Sequence, residues 1–149
     1  IAKDNLLSYF KSKKIDNNRI IFAEHVSSYK EHVSRYCSAD IFLDTFNYNG
    51  HSTLVECIWS ELPFITLFGN SFSSRVGGSI LRALDLNELI CNSCEEYIEK
   101  VVFYCSNKQK LEVLRNKIKI QKKNGDFFNQ KLFTKNLEKV YENILKIHN

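Results

Sequence analysis

Ala39-Asp-Ile-Phe-Leu-Asp-Thr-Phe-Asn-Tyr-Asn-Gly-His-Ser-Thr-Leu-Val-Glu-Cys-Ile-Trp59 is the stretch whose reading decides the fold. Ile41, Phe42 and Leu43 form a short apolar run that ends in Asp44, and a polar loop follows to Gly50. His51, Ser52 and Thr53 then open a segment with Leu54, Val55, Ile58 and Trp59 at helical spacing. Strand, loop and helix, with Gly and hydroxyls at the helix start, is an arrangement that holds phosphate in α/β proteins. The first N–H groups of a helix lack partners, and the helix dipole adds partial positive charge there.

Working outward, Pro63 stops this helix and Phe64-Ile-Thr-Leu67 reads as a second strand. Upstream, Ile20-Ile-Phe22 reads as another short strand. Ser28-x-x-Glu31 is a capping box, so a helix is expected from Tyr29 to about Ser38. Downstream, Ser71–Leu84 reads as a helix that contains Gly77 and Gly78. Glycines there weaken a helix, so close packing against a neighbour is their expected reason. Ser93-x-x-Glu96 is a second capping box, opening a helix to about Cys105. Lys108–Lys123 and Leu132–Ile147 follow as amphipathic helices, and Asp4–Ser12 is a helix at the start. In Lys108–Lys123 the apolar side is expected from Leu111, Val113, Leu114, Ile118 and Ile120. The fold class is α/β: a Rossmann-like parallel sheet of three strands flanked by helices, with helices only after Leu89.

At 149 residues, 44% hydrophobic and 26% charged, the chain is one folded domain rather than a disordered segment. A net charge of +4 suits an anionic ligand without implying nucleic acid. No apolar run approaches the roughly 20 residues of a membrane helix. Cys37, Cys57, Cys91, Cys94 and Cys105 are odd in number and irregular in spacing, which favours a reduced, intracellular setting. Cys91-x-x-Cys94 has no second ligand pair, so no metal is expected there. The chain starts at Ile1 without Met, and its helix begins at once; a piece of a longer protein is expected.

Several pieces together carry a resemblance. Glu31-His-Val33 with Arg35, Ala39-Asp40, Leu43-Asp-Thr45, Asn49-Gly-His-Ser-Thr53, Trp59, Leu62-Pro63 and Ser74-Arg-Val76 resemble the O-GlcNAc transferase family in order and spacing. The resemblance implies part of the C-terminal lobe of a two-lobed GT-B glycosyltransferase, with helical TPR repeats upstream. The same resemblance implies UDP-GlcNAc as the donor, no metal or other cofactor, and acceptor proteins in the cytoplasm or nucleus as partners.

The diphosphate turn of the family matches Asn49, Gly50, His51, Ser52 and Thr53. Its uridine-side His and the following Arg match His32 and Arg35. The ribose-holding acid falls at Glu56, where the family has Asp. The uracil-side Lys is nearest to Lys30, with the register open by a residue. No catalytic base is assignable within residues 1–149, because the family's acceptor-side histidine and its other phosphate-binding Lys fall upstream.

Read without the resemblance, His51 is a loop cap, His32 a satisfied helix histidine, and Arg35 and Glu56 are solvated charges. Asp44 is expected to hold the loop through backbone hydrogen bonds, and Arg75 to pin a neighbouring helix or loop. Two alternatives stand beside the donor assignment. One is the similar SPINDLY-type branch using GDP-fucose, which tends to lack the His of the turn. The other is a Rossmann-like binding module without activity. A strand edge and an apolar helix face left open also point to self-association.

Overall fold

The computed structural model describes residues 1–148. Three short strands, β1 (Phe42–Leu43), β2 (Phe64–Leu67) and β3 (Ile90–Cys91), form one parallel sheet in the order β1-β2-β3. Phe42 pairs with Phe64, and Thr66 with Ile90. The ladder extends past the strand ends through Asp44 N–H to Ile65 O (3.1 Å) and Phe68 N–H to Cys91 O (2.8 Å). Parallel neighbours need crossovers. Helix α3 (Ser52–Trp59) joins β1 to β2, and α4 (Val76–Ala83) joins β2 to β3.

The central strand β2 is buried through Phe64, Ile65 and Thr66, as a strand covered on both faces must be. Leu54, Cys57 and Ile58 of α3 and Ile80 and Leu81 of α4 complete one core with it. Helix α5 (Cys94–Cys105) adds Tyr97 and Tyr104, and α6 (Lys108–Asn124) adds Leu111, Leu114 and Ile118. Each fully buried Leu, Ile or Phe contributes about 1.5–3 kcal/mol of transfer free energy.

Both capping boxes form. Ser28 Oγ accepts from Glu31 N–H at the start of α2 (Tyr29–Ser34), and Ser93 Oγ accepts from Glu96 N–H at the start of α5. After Ser34 the chain tightens into a 3-10 turn over Arg35–Ser38.

Four expectations are corrected. Ile20–Phe22 is not a strand: the segment runs without a sheet partner and Ile21 is 89% exposed. Its three apolar residues have no neighbouring strand to pair with. The third strand is instead Ile90–Cys91, so the chain past Leu89 is not purely helical. The helix expected from Ser71 begins only at Val76. Residues 71–74 form a turn closed by their own hydroxyls, with Ser71 N–H donating to Ser74 Oγ (3.1 Å) and Ser74 N–H to Ser71 Oγ (3.2 Å). Serines compete with helix by such local bonds. Finally, Val113 and Ile120 point outward from α6.

The paired glycines of α4 do mark close packing. A Cβ on Gly77 would lie 2.5 Å from Thr66 Oγ1, and one on Gly78 would run into the Phe68 ring at Cδ2. The two terminal helices differ from the rest. Helix α1 (Ala2–Ser12) buries no residue, and α7 (Gln130–His148) exposes Phe133, Leu137, Val140, Tyr141 and Ile144 along one stripe.

Candidate functional site

The site grows from Asp44, the residue that ends β1. Its side chain is buried and accepts three hydrogen bonds. Oδ1 takes Thr45 N–H (2.9 Å) and Gly50 N–H (2.8 Å), and Oδ2 takes the Thr66 hydroxyl (2.7 Å). The Tyr97 hydroxyl donates to the Asp44 carbonyl (3.2 Å). Burial pushes the Asp44 carboxyl above its ordinary range, against the pull of those three donors and of His51. Asp44 therefore shapes the loop, as its sequence context suggests.

Asn49 is the second internal post. It is fully buried, its Nδ2 donates to Thr45 O (2.8 Å), and its Oδ1 accepts from Gly77 N–H (3.1 Å). Asn49 N–H also donates to Ser73 O (2.9 Å). Between them, Asp44 and Asn49 fix the turn from Thr45 to Gly50 and deliver the chain into α3.

At that entry the backbone N–H groups of Ser52, Thr53 and Leu54 have no hydrogen-bond partner among the described residues, and the first bond of the helix is Val55 N–H to His51 O (3.3 Å). Ser52 is exposed and Thr53 half-buried, so both hydroxyls are available at the same end. His51 stacks on Tyr48 with ring centroids 5.0 Å apart and 12° between planes, and meets the edge of Phe72 at 6.2 Å. Its Nε2 is enclosed without a protein partner. An imidazole held in place beside two hydroxyls and the unpartnered N–H groups of Ser52 and Thr53 at a helix N-terminus is an arrangement suited to an anion.

One turn along α3, Glu56 turns toward α2. His32 Nε2 lies 3.4 Å from Glu56 Oε2, and the Tyr36 hydroxyl donates to the same oxygen at 3.1 Å. Tyr36 Oη also stands 3.4 Å from His32 Nε2. The structure thus brings His32 and Glu56 together, and adds Tyr36, which sequence reasoning missed. Its signal was present: Tyr36 follows His32 by four residues, hence on one helix face.

Arg35 reaches back to donate to the Glu24 carbonyl. With His32 it lines an open groove of about 630 Å³ formed with Ala23–Tyr29. Lys30 lies elsewhere, in a groove with Cys37, Trp59 and Lys122. Arg75, expected to pin a neighbour, makes no side-chain hydrogen bond or ion pair among the described residues and lines a groove with Phe72 and Phe127. All five cysteines are free thiols; Cys57 and Cys91 are buried, and burial pushes their thiols up, to about 12 and about 11.

Comparison with known proteins gives the family and the fold. The model of the family "Glycosyl transferase family 41" matches residues 1–137. An Arabidopsis thaliana protein named "Probable UDP-N-acetylglucosamine--peptide N-acetylglucosaminyltransferase SEC" is 34% identical over 142 residues, 95% of this chain and 14% of its own length. The UDP-N-acetylglucosamine–peptide N-acetylglucosaminyltransferase of Caenorhabditis elegans is 30% identical over 137 residues, 92% of this chain and 12% of its own. A solved mutant of the Thermobaculum terrenum O-GlcNAc transferase superposes with a TM-score of 0.85 at 26% identity, over 93% of this chain and 26% of that one. The fold is therefore that of one part of a GT-B enzyme, and the chain spans about a seventh of the first of these relatives. With residues 1–137 of the chain matched by the family model, the chain belongs to glycosyl transferase family 41.

Proposed function

We propose that this chain forms one wall of the donor site of a protein O-GlcNAc transferase that moves N-acetylglucosamine from UDP-GlcNAc to Ser or Thr of acceptor proteins. The observation that carries it is the entry to α3, where free N–H groups, His51, Ser52 and Thr53 stand at the carboxyl end of β1. The diphosphate sits there. Glu56 accepts from ribose hydroxyls, and His32 and Arg35 flank the uracil side. Lys30 belongs to this set by sequence register and reaches it only by a shift of α2, since it opens on another groove. The leaving group of the transfer is UDP, so stabilising charge that grows on its phosphate is itself catalytic. No metal enters this scheme. The compartment that fits five free thiols is the cytoplasm or nucleus.

Ligand-observed NMR with UDP and then GDP tests the assignment. UDP is expected to bind weakly and in preference to GDP. Replacing His51 with Ala removes a charge-assisted contact and should weaken UDP by about 1.5–3 kcal/mol. Unchanged UDP affinity in that variant would overturn the diphosphate assignment, and a preference for GDP would move the chain to the fucosyl branch.

A single wall of a two-lobed cleft holds no acceptor site. The 149-residue chain is therefore expected to transfer no GlcNAc to a peptide; radiolabelled product from UDP-GlcNAc would contradict this. The open apolar stripe of α7 and the unpaired edge of β1 also fit self-association. Light scattering at high concentration should report a dimer or larger species, and a clean monomer would exclude it.

A further inference from the structure

We propose that Tyr36 is a positioning residue for Glu56, holding the carboxylate where it receives the nucleoside's ribose; this deepens the donor-site assignment and rests on it. Three observations support it. The Tyr36 hydroxyl donates to Glu56 Oε2 at 3.1 Å, across from the 3-10 turn Arg35–Ser38 to α3. The same oxygen lies 3.4 Å from His32 Nε2, so two side chains from the preceding segment grip one carboxylate oxygen. Glu56 Oε1 makes no hydrogen bond among the described residues. One oxygen is fixed and the other is left to accept.

The physical need is specific to a glutamate. Its side chain has three rotatable bonds, and freezing them on ligand binding costs entropy. A donor that freezes them beforehand removes that cost from the binding step. Tyr36 suits the task because its own ring is fixed. It packs edge-on to His32, with centroids 5.6 Å apart and planes at 80°, and it rests against the hydrophobic core. Arg115 holds the end of the same segment by donating to Ala39 O (2.7 Å). Burial, with Cys57 and Glu56 nearby, pushes the phenol well above its ordinary range, so it stays a neutral donor at physiological pH.

The test is a double-mutant cycle read with three probes: UDP, UMP and inorganic pyrophosphate. Circular dichroism first verifies that Tyr36→Phe and Glu56→Gln keep the fold. Tyr36→Phe is expected to weaken UDP and UMP roughly three- to tenfold, the range of one neutral hydrogen bond, and to leave pyrophosphate unchanged. In the Glu56→Gln background the same change should have no further effect. A loss that is equal for pyrophosphate, or additive with Glu56→Gln, assigns Tyr36 a purely structural role and overturns the proposal. If Glu56→Gln weakens UDP while Tyr36→Phe does not, the proposal fails and the donor site stands. If Glu56→Gln leaves UDP and UMP unchanged, the ribose assignment itself falls, and the role of Tyr36 with it.

Discussion

Asp44→Ala is expected to destabilise the chain by roughly 3–5 kcal/mol, a large part of the 5–15 kcal/mol that a domain usually has. The carboxylate receives Thr45 N–H, Gly50 N–H and the Thr66 hydroxyl. Alanine would leave all three donors without an acceptor inside the protein, each costing about 1–3 kcal/mol. Asp44→Asn should cost less, because the Thr66 hydroxyl can turn and accept from the new amide. The sign of the pH effect follows from burial. The folded carboxyl titrates above its unfolded value, so its contribution to stability is full below the ordinary aspartate range and is lost as pH rises through the raised value. The asparagine variant should lack that fall. Urea melts across acidic pH measure both effects; a loss under about 1 kcal/mol for Asp44→Ala would mean that water replaces the carboxylate at little cost.

Gly77→Ala should be the next most damaging single change. Two effects oppose each other. Alanine is the better helix former by about 1 kcal/mol. Against this, the new methyl would lie 2.5 Å from Thr66 Oγ1 and 2.7 Å from Asp44 Oδ2. Those two atoms already bond each other at 2.7 Å and sit in the core, so neither can retreat cheaply. Overpacking of this kind costs about 1–3 kcal/mol, and here it also breaks the Asp44–Thr66 bond. A net loss of about 2 kcal/mol is expected, together with a shift of the Thr45–Gly50 loop that lowers UDP affinity. Gly50→Ala is the informative comparison. Its nearest contact, Leu54 Cγ at 3.1 Å, is milder, so it should cost less. A Gly77→Ala variant that melts higher than the parent would refute the packing role.

The parts legible in the sequence were those with a strong local cause. Pro63 and the run after it placed β2, and the Ser28 and Ser93 boxes placed two helix starts to the residue. Short strands carried less information. Ile20–Phe22 and Leu89–Cys91 are both three-residue apolar runs, and nothing local separates them. What separates them is tertiary: Ile90 and Cys91 have β2 beside them, and Ile21 has no strand. The turn over residues 71–74 was readable from its serines, yet the apolar spacing after it drew the helix start too early. Ser52 and Thr53 stand at the start of α3, where the strand-loop-helix pattern puts them, whereas His51 as a site residue rested on the resemblance. His32 and Glu56 were each assigned to the nucleotide by resemblance alone, and their meeting at 3.4 Å, between residues far apart in the chain, is read only from the fold. Tyr36 was missed because a hydroxyl acts on whichever partner the fold supplies.

The burial of the chain is uneven, and this has a kinetic meaning. The core and the hydrophobics packed on it run from Tyr36 to Phe128, while α1 contributes no buried residue and the stripe on α7 stays exposed. Elements with so little burial open locally at low free-energy cost, well below that of global unfolding. Brief proteolysis should therefore trim both ends first and leave a resistant middle, and the amides of α1 and α7 should exchange with deuterium long before those of β2. The helix start at Ser52 lies within the well-buried middle of the chain, so losing either end should leave it standing.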